Sequence, residues 1–405
     1  MTILKFSVAD HFVDGQGLFD MIAKAGTNGE IEPEVQAISW QIMWPYLQRS
    51  RVDQNGFHVS EIGSTWVSGY SDMDLLEELS PDEIDTWGGP RQFIPAAWES
   101  ITPRDDERIF AIPFLADTRV VYYWRDILAD AGIAEENAFS SPAKMEETIS
   151  RLAVRGKPTW ATPTFGVTNI VHQIASWIWA HGGSFFNEDH TQTAFAKDGA
   201  LEGIIEYFAL QKHMTRKYDS LDSAQEAFRK RAASVLMSGP WFYENLMKRN
   251  TPAEMMANLG VALPPGPPFV GGSSLVIWKG EEVEPALRWI KQLTTNEKTQ
   301  EQVTRDTGLL PVLNTLLSSA RYTYDHHYAV FSKALKSGRP LPQAPFWGAL
   351  EAELVRVFGN IWSDLKEDPR YTPKRAVLEH LLPMANMFDG KLYRHSFPPV
   401  APLNQ

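Results

Sequence analysis

Asp117 and Arg119 stand two residues apart in the run Ile112-Pro113-Phe114-Leu115-Ala116-Asp117-Thr118-Arg119. A carboxylate only accepts hydrogen bonds and a guanidinium only donates them, so the pair can hold a hydroxyl from both sides. The same two residues can equally close a plain salt bridge on each other. The chain is also rich in indole: of fourteen Trp, Trp66, Trp87, Trp241 and Trp347 sit in loop-like contexts, where core packing explains them less well. Aromatic rings beside small polar and charged groups suit a ligand with a C–H face and a rim of hydroxyls, as a sugar has. The ring covers the face, while Asp, Arg, Asn or Ser bond to the rim. Bonds to ionised groups contribute about 1.5–3 kcal/mol, roughly double the neutral kind.

Residues for covalent or metal chemistry are missing or scattered. With no cysteine, disulfides, thiol catalysis and Cys-ligated zinc are excluded. There is no Walker loop, full dinucleotide fingerprint, zinc-protease motif or nucleophile elbow. Gly15-Gln16-Gly17 reads as a loop, Gly271-Gly272-Ser273-Ser274 as a turn into a strand, and Asp105-Asp106-Glu107 as a solvated loop. Of ten histidines only His326 and His327 adjoin, and neighbours on one element are not expected to share a metal. The expectation is a protein without catalytic residues, metal or cofactor. A net charge of -12 argues against nucleic acid or an anionic membrane as partner, and Arg229-Lys230-Arg231 reads as a solvated helix end.

The elements that must position these groups alternate. Ile3–Val8, Glu34–Ile38, Phe57–Ile62, Arg108–Pro113, Ala232–Met237 and Ser274–Trp278 read as strands, and Val120–Trp124 as an apolar, aromatic run. Phe57–Ile62 runs into the polar turn Gly63-Ser64-Thr65-Trp66, either a ligand-binding turn at a strand's carboxyl end or a cap for the next helix. A helical turn is expected around Leu18–Ala25 and a helix over Gln41–Gln48. Ser141-Pro142 opens another helix, Gly182-Gly183 ends one, Asp198 caps one, and the tail from about Tyr328 is mostly helical. Strands interleaved with helices make the class α/β, and 405 residues suit two lobes. Breaks near Pro113–Asp117 and at the stiff Leu263–Pro268 divide the chain. No apolar run is long enough to span a bilayer. Met1–Val8 reads directly as a strand, so the chain is either cytoplasmic or a mature form whose export segment has been removed.

Several of these stretches together resemble the family 1 extracellular solute-binding proteins, the sugar-binding group that includes maltose-binding proteins. They are Ile112-Pro113-Phe114 through Asp117-Thr118-Arg119 to Tyr122-Tyr123, then Trp177-Ile178-Trp179-Ala180-His181-Gly182-Gly183-Ser184-Phe185-Phe186-Asn187. Met237-Ser238-Gly239-Pro240-Trp241, Gly271-Gly272-Ser273-Ser274 and Thr307-Gly308-Leu309-Leu310-Pro311 complete the set. The resemblance implies a type II periplasmic-binding-protein-like fold: two α/β lobes, a ligand cleft between them and a helical C-terminal region. The expected lobes are 1–113 plus 270–320 and 118–264 plus 325–405, with crossings near 114–117, 265–270 and 320–325. It implies an ABC-importer component that captures a carbohydrate or polyol, hands it to permease subunits, works as a monomer outside the cytoplasm, and does no chemistry. A carbohydrate-active enzyme and a sugar-sensing receptor module are the alternatives. Trp241 is expected to stack on a sugar ring or else to anchor its helix. Ser64, Thr65, Trp66, Asp117, Arg119 and Trp347 would line the cleft, with Trp40, Trp177 and Gly272 as further ligand-binding residues. Gly56-Phe57-His58-Val59-Ser60-Glu61 departs from the family pattern, so Glu61 is not carried over.

Overall fold

Period-two alternation starts the chain: in β1 (Thr2–Ala9), Leu4, Phe6 and Val8 are fully buried, as a strand with one face on a core requires. The computed structural model describes residues 2–11, 22, 31–52, 56–102, 107–165, 169–214, 216–281, 283–368 and 370–395. The Gly15–Gly17 loop, most of the Leu18–Ala25 turn, and Asp105 with Asp106 lie outside these residues. The chain divides into two compact units. The first holds Met1–Val120, Gly239–Met256 and Pro268–Gly348; the second holds Val121–Ser238, Ala257–Pro267 and Ala349–Gln405.

In the first unit β2 (Ile31–Ile38), β3 (Val59–Gly63), β4 (Ile112–Thr118) and β9 (Val270–Ile277) join β1 in the order β2-β1-β3-β9-β4. β1 lies parallel to β2 and to β3. β9 runs antiparallel to both its neighbours, pairing Gly63 with Ser273 on one side and Asp117 with Gly271 on the other. Four strands, β1 to β4, therefore end their carboxyl termini at one edge. Inside the sheet the Ser7 hydroxyl and the Trp278 indole N–H both donate to Ser60 Oγ at 2.7 Å, so these buried polar groups are paired.

Gly272 makes the β4–β9 contact possible. Its φ is +137, and an added Cβ would stand 1.9 Å from the Leu115 carbonyl oxygen. Below, Gln300 is fully buried and its amide donates to Phe114 O at 3.0 Å, tying β4 to the helix Glu297–Thr307.

The second unit has a sheet in the order β6-β7-β5-β8: β5 (Val120–Trp124, whose first residue belongs to the first unit), β6 (Trp160–Ala161), β7 (Val235–Ser238) and β8 (Leu259–Ala262). Ser141 caps the helix Pro142–Val154 by accepting from Lys144 N, and Met145, Ile149 and Leu152 are buried on its face. The Tyr207 hydroxyl donates to Gln173 Oε1 at 2.9 Å, and the Gln173 amide donates to Met237 O at 3.1 Å.

Several expected boundaries differ. Arg108–Pro113 is not the strand; the ladder runs on through Thr118, because the register shifts between Pro113 and Leu115 and so absorbs the proline. Phe114–Asp117 is therefore paired strand, not a crossing. Residues 320–325 contain the helix Ala320–Tyr324 of the first unit, not a crossing. The segment Gly239–Met256 and the helix His326–Ser337 group with the first unit, where contacts such as Trp241 with Arg119 and Tyr243 with Tyr328 hold them. Asp198 does not cap its helix: it is the first helical residue, at φ 42, and Lys197 precedes it without a side-chain cap.

Gly272→Ala should cost about 3 kcal/mol or more, from combined backbone strain and overpacking. Gly390→Ala, on the helix Pro373–His395 with nothing within 4 Å of the new Cβ, should add about 0.5–1 kcal/mol. Urea unfolding midpoints check both; equal effects of the two changes would refute the assigned role of Gly272.

Candidate functional site

At the edge where β1, β2 and β3 end, three short stretches follow the strands: Asp10-His11, Ser39-Trp40 and Ser64-Thr65-Trp66. The sheet order places β1 between β2 and β3, so successive connections leave on opposite sides of β1. In open α/β sheets such a reversal leaves a crevice at the strands' carboxyl ends.

Aromatic rings fill this edge. Trp40 begins the helix Trp40–Val52, and Trp44 follows one helical turn later on the same side. Trp66 meets both edge-on, with ring centres 5.5 Å from Trp40 and 5.6 Å from Trp44. Trp44 stacks on the buried Tyr70 at 4.2 Å, and the Tyr70 hydroxyl donates to Trp44 O. Trp40, Trp44 and Trp66 are half-buried, packed on the core from one side. Ser64-Thr65-Trp66 forms a 3-10 turn in which no side chain caps the following helix; Ser64 Oγ instead lies 3.3 Å from Ser274 Oγ. The helix-cap alternative is thereby set aside.

Beside Trp40 sits a buried histidine–carboxylate pair. His11 Nε2 lies 2.9 and 3.0 Å from the two oxygens of Glu61, which is fully buried and also accepts from Ala9 N at 2.9 Å. Burial pushes the Glu61 carboxyl up, but His11 and the Ala9 amide more than offset this and hold it below the ordinary range. The His11 ring stands edge-on to Trp40 at 6.2 Å.

A second group lies across β9, two strand spacings or about 10 Å from β3. Arg119 Nη1 donates to Asp117 Oδ2 at 2.6 Å and to Thr118 O at 2.9 Å. Its guanidinium carbon lies 4.8 Å from the Trp241 ring centre and 5.3 Å from that of Phe269. Small residues admit both rings: a Cβ on Gly239 would stand 1.8 Å from the Trp241 ring, and one on Gly271 would stand 2.3 Å from the Phe269 ring. Asp117 Oδ1 is buried and finds no partner among the described residues. Burial pushes this carboxyl up, and the pull of Arg119 does not fully offset it.

The structure thus brings Trp40, Ser64, Thr65 and Trp66 together, and separately Asp117, Arg119 and Trp241, with Gly272 on the strand between. Trp241 is only 7% exposed and already faces Arg119, which favours the anchor over the open platform. Trp347 is fully buried, and Trp177 packs edge-on to Tyr207 at 5.0 Å inside the second unit, so neither presents an open face. Trp44, Tyr70, His11, Glu61 and Phe269 are the neighbours that sequence reasoning missed. The four-residue spacing of Trp40 and Trp44 was a usable signal; the His11–Glu61 pair, 50 residues apart, had none. Contrary to expectation, adjacent His326 and His327 do converge: with Asp325 they offer three metal-type donor atoms within 4.8 Å of one another. Asp325 also caps its helix, accepting from His327 N and Tyr328 N.

Residues 18–330 match the family model of the bacterial extracellular solute-binding protein. The chain belongs to that family. This solute-binding protein is 22% identical over 333 residues to the maltotriose-binding protein of Pyrococcus abyssi, covering 78% of its own length and 66% of that relative. The diacetylchitobiose binding protein DasA of Streptomyces coelicolor is 25% identical over 345 residues, 81% of this chain and 76% of that one. Among solved structures, the sugar-binding protein MalE of Xanthomonas citri superposes with a TM-score of 0.80 over 98% of both chains at 20% identity. A solute-binding protein of Agrobacterium radiobacter K84 in complex with ribitol gives 0.76 at 14% identity, over 96% of this chain and 99% of that one. The mixed α/β fold is therefore that of MalE. No helix among the described residues is long and apolar enough to cross a membrane.

The lowered Glu61 group fixes a pH dependence. Its contribution to stability is complete above the unfolded carboxyl's titration and is lost as pH falls through the lower folded value, below the ordinary carboxylate range. Glu61→Gln should flatten that acid limb in denaturant midpoints measured against pH; a limb parallel to wild type would contradict the assignment.

Proposed function

We propose that the protein is the substrate-binding component of an ABC importer, capturing a mono- or oligosaccharide or a related polyol and passing it unchanged to membrane permease subunits. It acts as a monomer in the periplasm or outside the cell, without cofactor or catalytic step. One observation carries the reading: the half-buried Trp40–Trp44–Trp66 cluster stands at the carboxyl ends of β1, β2 and β3, in a chain of the solute-binding family. Indole faces cover the C–H face of a sugar ring, and the flanking Thr65 and Asp10 offer polar partners to its hydroxyls. The names of the relatives, which bind maltotriose and diacetylchitobiose, and the ribitol complex support the same ligand class.

A thermal-shift screen with maltotriose, diacetylchitobiose and ribitol tests the proposal, since a ligand at a hundred times its Kd adds about 2.7 kcal/mol. Absence of any shift across mono- and oligosaccharides and polyols would remove it.

The tryptophans separate by role. Trp40→Ala and Trp66→Ala should weaken sugar binding at least about tenfold, near 1.4 kcal/mol. Trp241→Ala should instead cost about 3–5 kcal/mol of stability, as truncation of a buried ring does. Calorimetric titration with parallel melts distinguishes them, and normal binding by both edge variants would place the ligand elsewhere.

A further inference from the structure

Three carboxylates stand where β1, β3 and β4 end: Asp10, Glu61 and Asp117. Asp10 is exposed beside Trp40 and accepts its backbone N–H at 3.3 Å. Glu61 is committed to His11. Among the described residues, the guanidinium bonded within this group is Arg119, and it is 4% exposed. Its Nη1 is committed to Asp117 and the Thr118 carbonyl, and the Trp241 and Phe269 rings lie against it. An arginine enclosed in this way cannot turn its planar fork to an incoming carboxylate or phosphate, which is how arginine recognises such groups. Arg339, whose backbone bridges to Phe269, is exposed to water, and a solvated surface charge attracts an anion weakly at physiological salt. The chain's net charge of -12 adds a repulsive background for anions.

The geometry points to selection by charge: this edge accepts uncharged sugars and rejects their acidic counterparts, because Trp241 and Phe269 hold Arg119 on Asp117 and withhold it from the ligand. The inference rests on the sugar reading above and adds the substrate class. Phe269 and Trp241 are positioning residues here, acting through Arg119.

The test compares glucose, maltotriose, diacetylchitobiose and ribitol with glucuronate, trigalacturonate and glucose 6-phosphate, by calorimetric titration of the whole chain at one ionic strength. At least one neutral probe should bind, with every acidic probe at least about tenfold weaker. Asp117→Asn, which removes the charge that holds Arg119, should narrow the acidic-to-neutral gap at least threefold. Phe269→Leu keeps apolar bulk while removing the ring, and should move the ratio in the same direction should the first variant fail to fold. Arg339→Ala should leave the ratio unchanged. An acidic probe binding as tightly as the best neutral one overturns the inference and leaves the sugar reading standing. A folded Asp117→Asn or Phe269→Leu with the wild-type ratio overturns the role of Arg119. Binding of no sugar, neutral or acidic, overturns the reading beneath it.

Discussion

Strand β9 enters the first unit at residue 270 and lies antiparallel between β3 and β4, so close to β4 that only a glycine fits at position 272. Every placement at the sheet edge depends on that approach. Without β9, β3 and β4 would share no ladder, and the turn Ser64-Thr65-Trp66 would have no fixed relation to Asp117. The strand also sets direction: being antiparallel to both neighbours, it makes β4 run with β1, β2 and β3, so that four carboxyl ends meet. Had β9 run parallel to one neighbour and antiparallel to the other, Asp117 and Arg119 would stand at the opposite edge.

The two buried carboxylates at that edge are stabilised differently. Glu61 is gripped on both oxygens by one imidazole and by a backbone amide, and its charged form is favoured. Asp117 has one oxygen on Arg119 and the other without a partner among the described residues, and burial dominates. A buried charge that loses its partner is strongly destabilising, so each pair holds its own pieces of backbone in place. For Asp117 these are β4 and, through the two rings against Arg119, the start of β9 and the helix Pro240–Lys248.

Local patterns carried much of the fold. Val120–Trp124 stood out as an unbroken apolar, aromatic run, and the structure makes it a strand with all five residues buried. The helix Pro142–Val154 was readable from its Ser-Pro opening and its spacing. β4 was misplaced because Pro113 looks like a strand end, and only the partner strand reveals the irregular register that accommodates it. At the candidate site, Trp66 was legible as an aromatic in an unusual context, Trp40 only as a further expected ligand-binding residue, and Asp117 and Arg119 as a complementary pair. Trp177 and Trp347 were nominated by resemblance, yet Trp177 sits on the buried Tyr207 and Trp347 has no exposed surface. Burial is a property of the surroundings, and residue type alone does not reveal it.

Of the fourteen tryptophans, ten are buried, leaving Trp98 and the Trp40–Trp44–Trp66 group as the four with more solvent-facing surface. Edge-on indoles 5.5 and 5.6 Å apart are close enough for their ultraviolet transitions to couple. The first unit therefore carries a built-in optical reporter. Displacing water from this one cluster would blue-shift its emission and alter its near-ultraviolet circular dichroism, against a background of buried indoles already shielded from solvent.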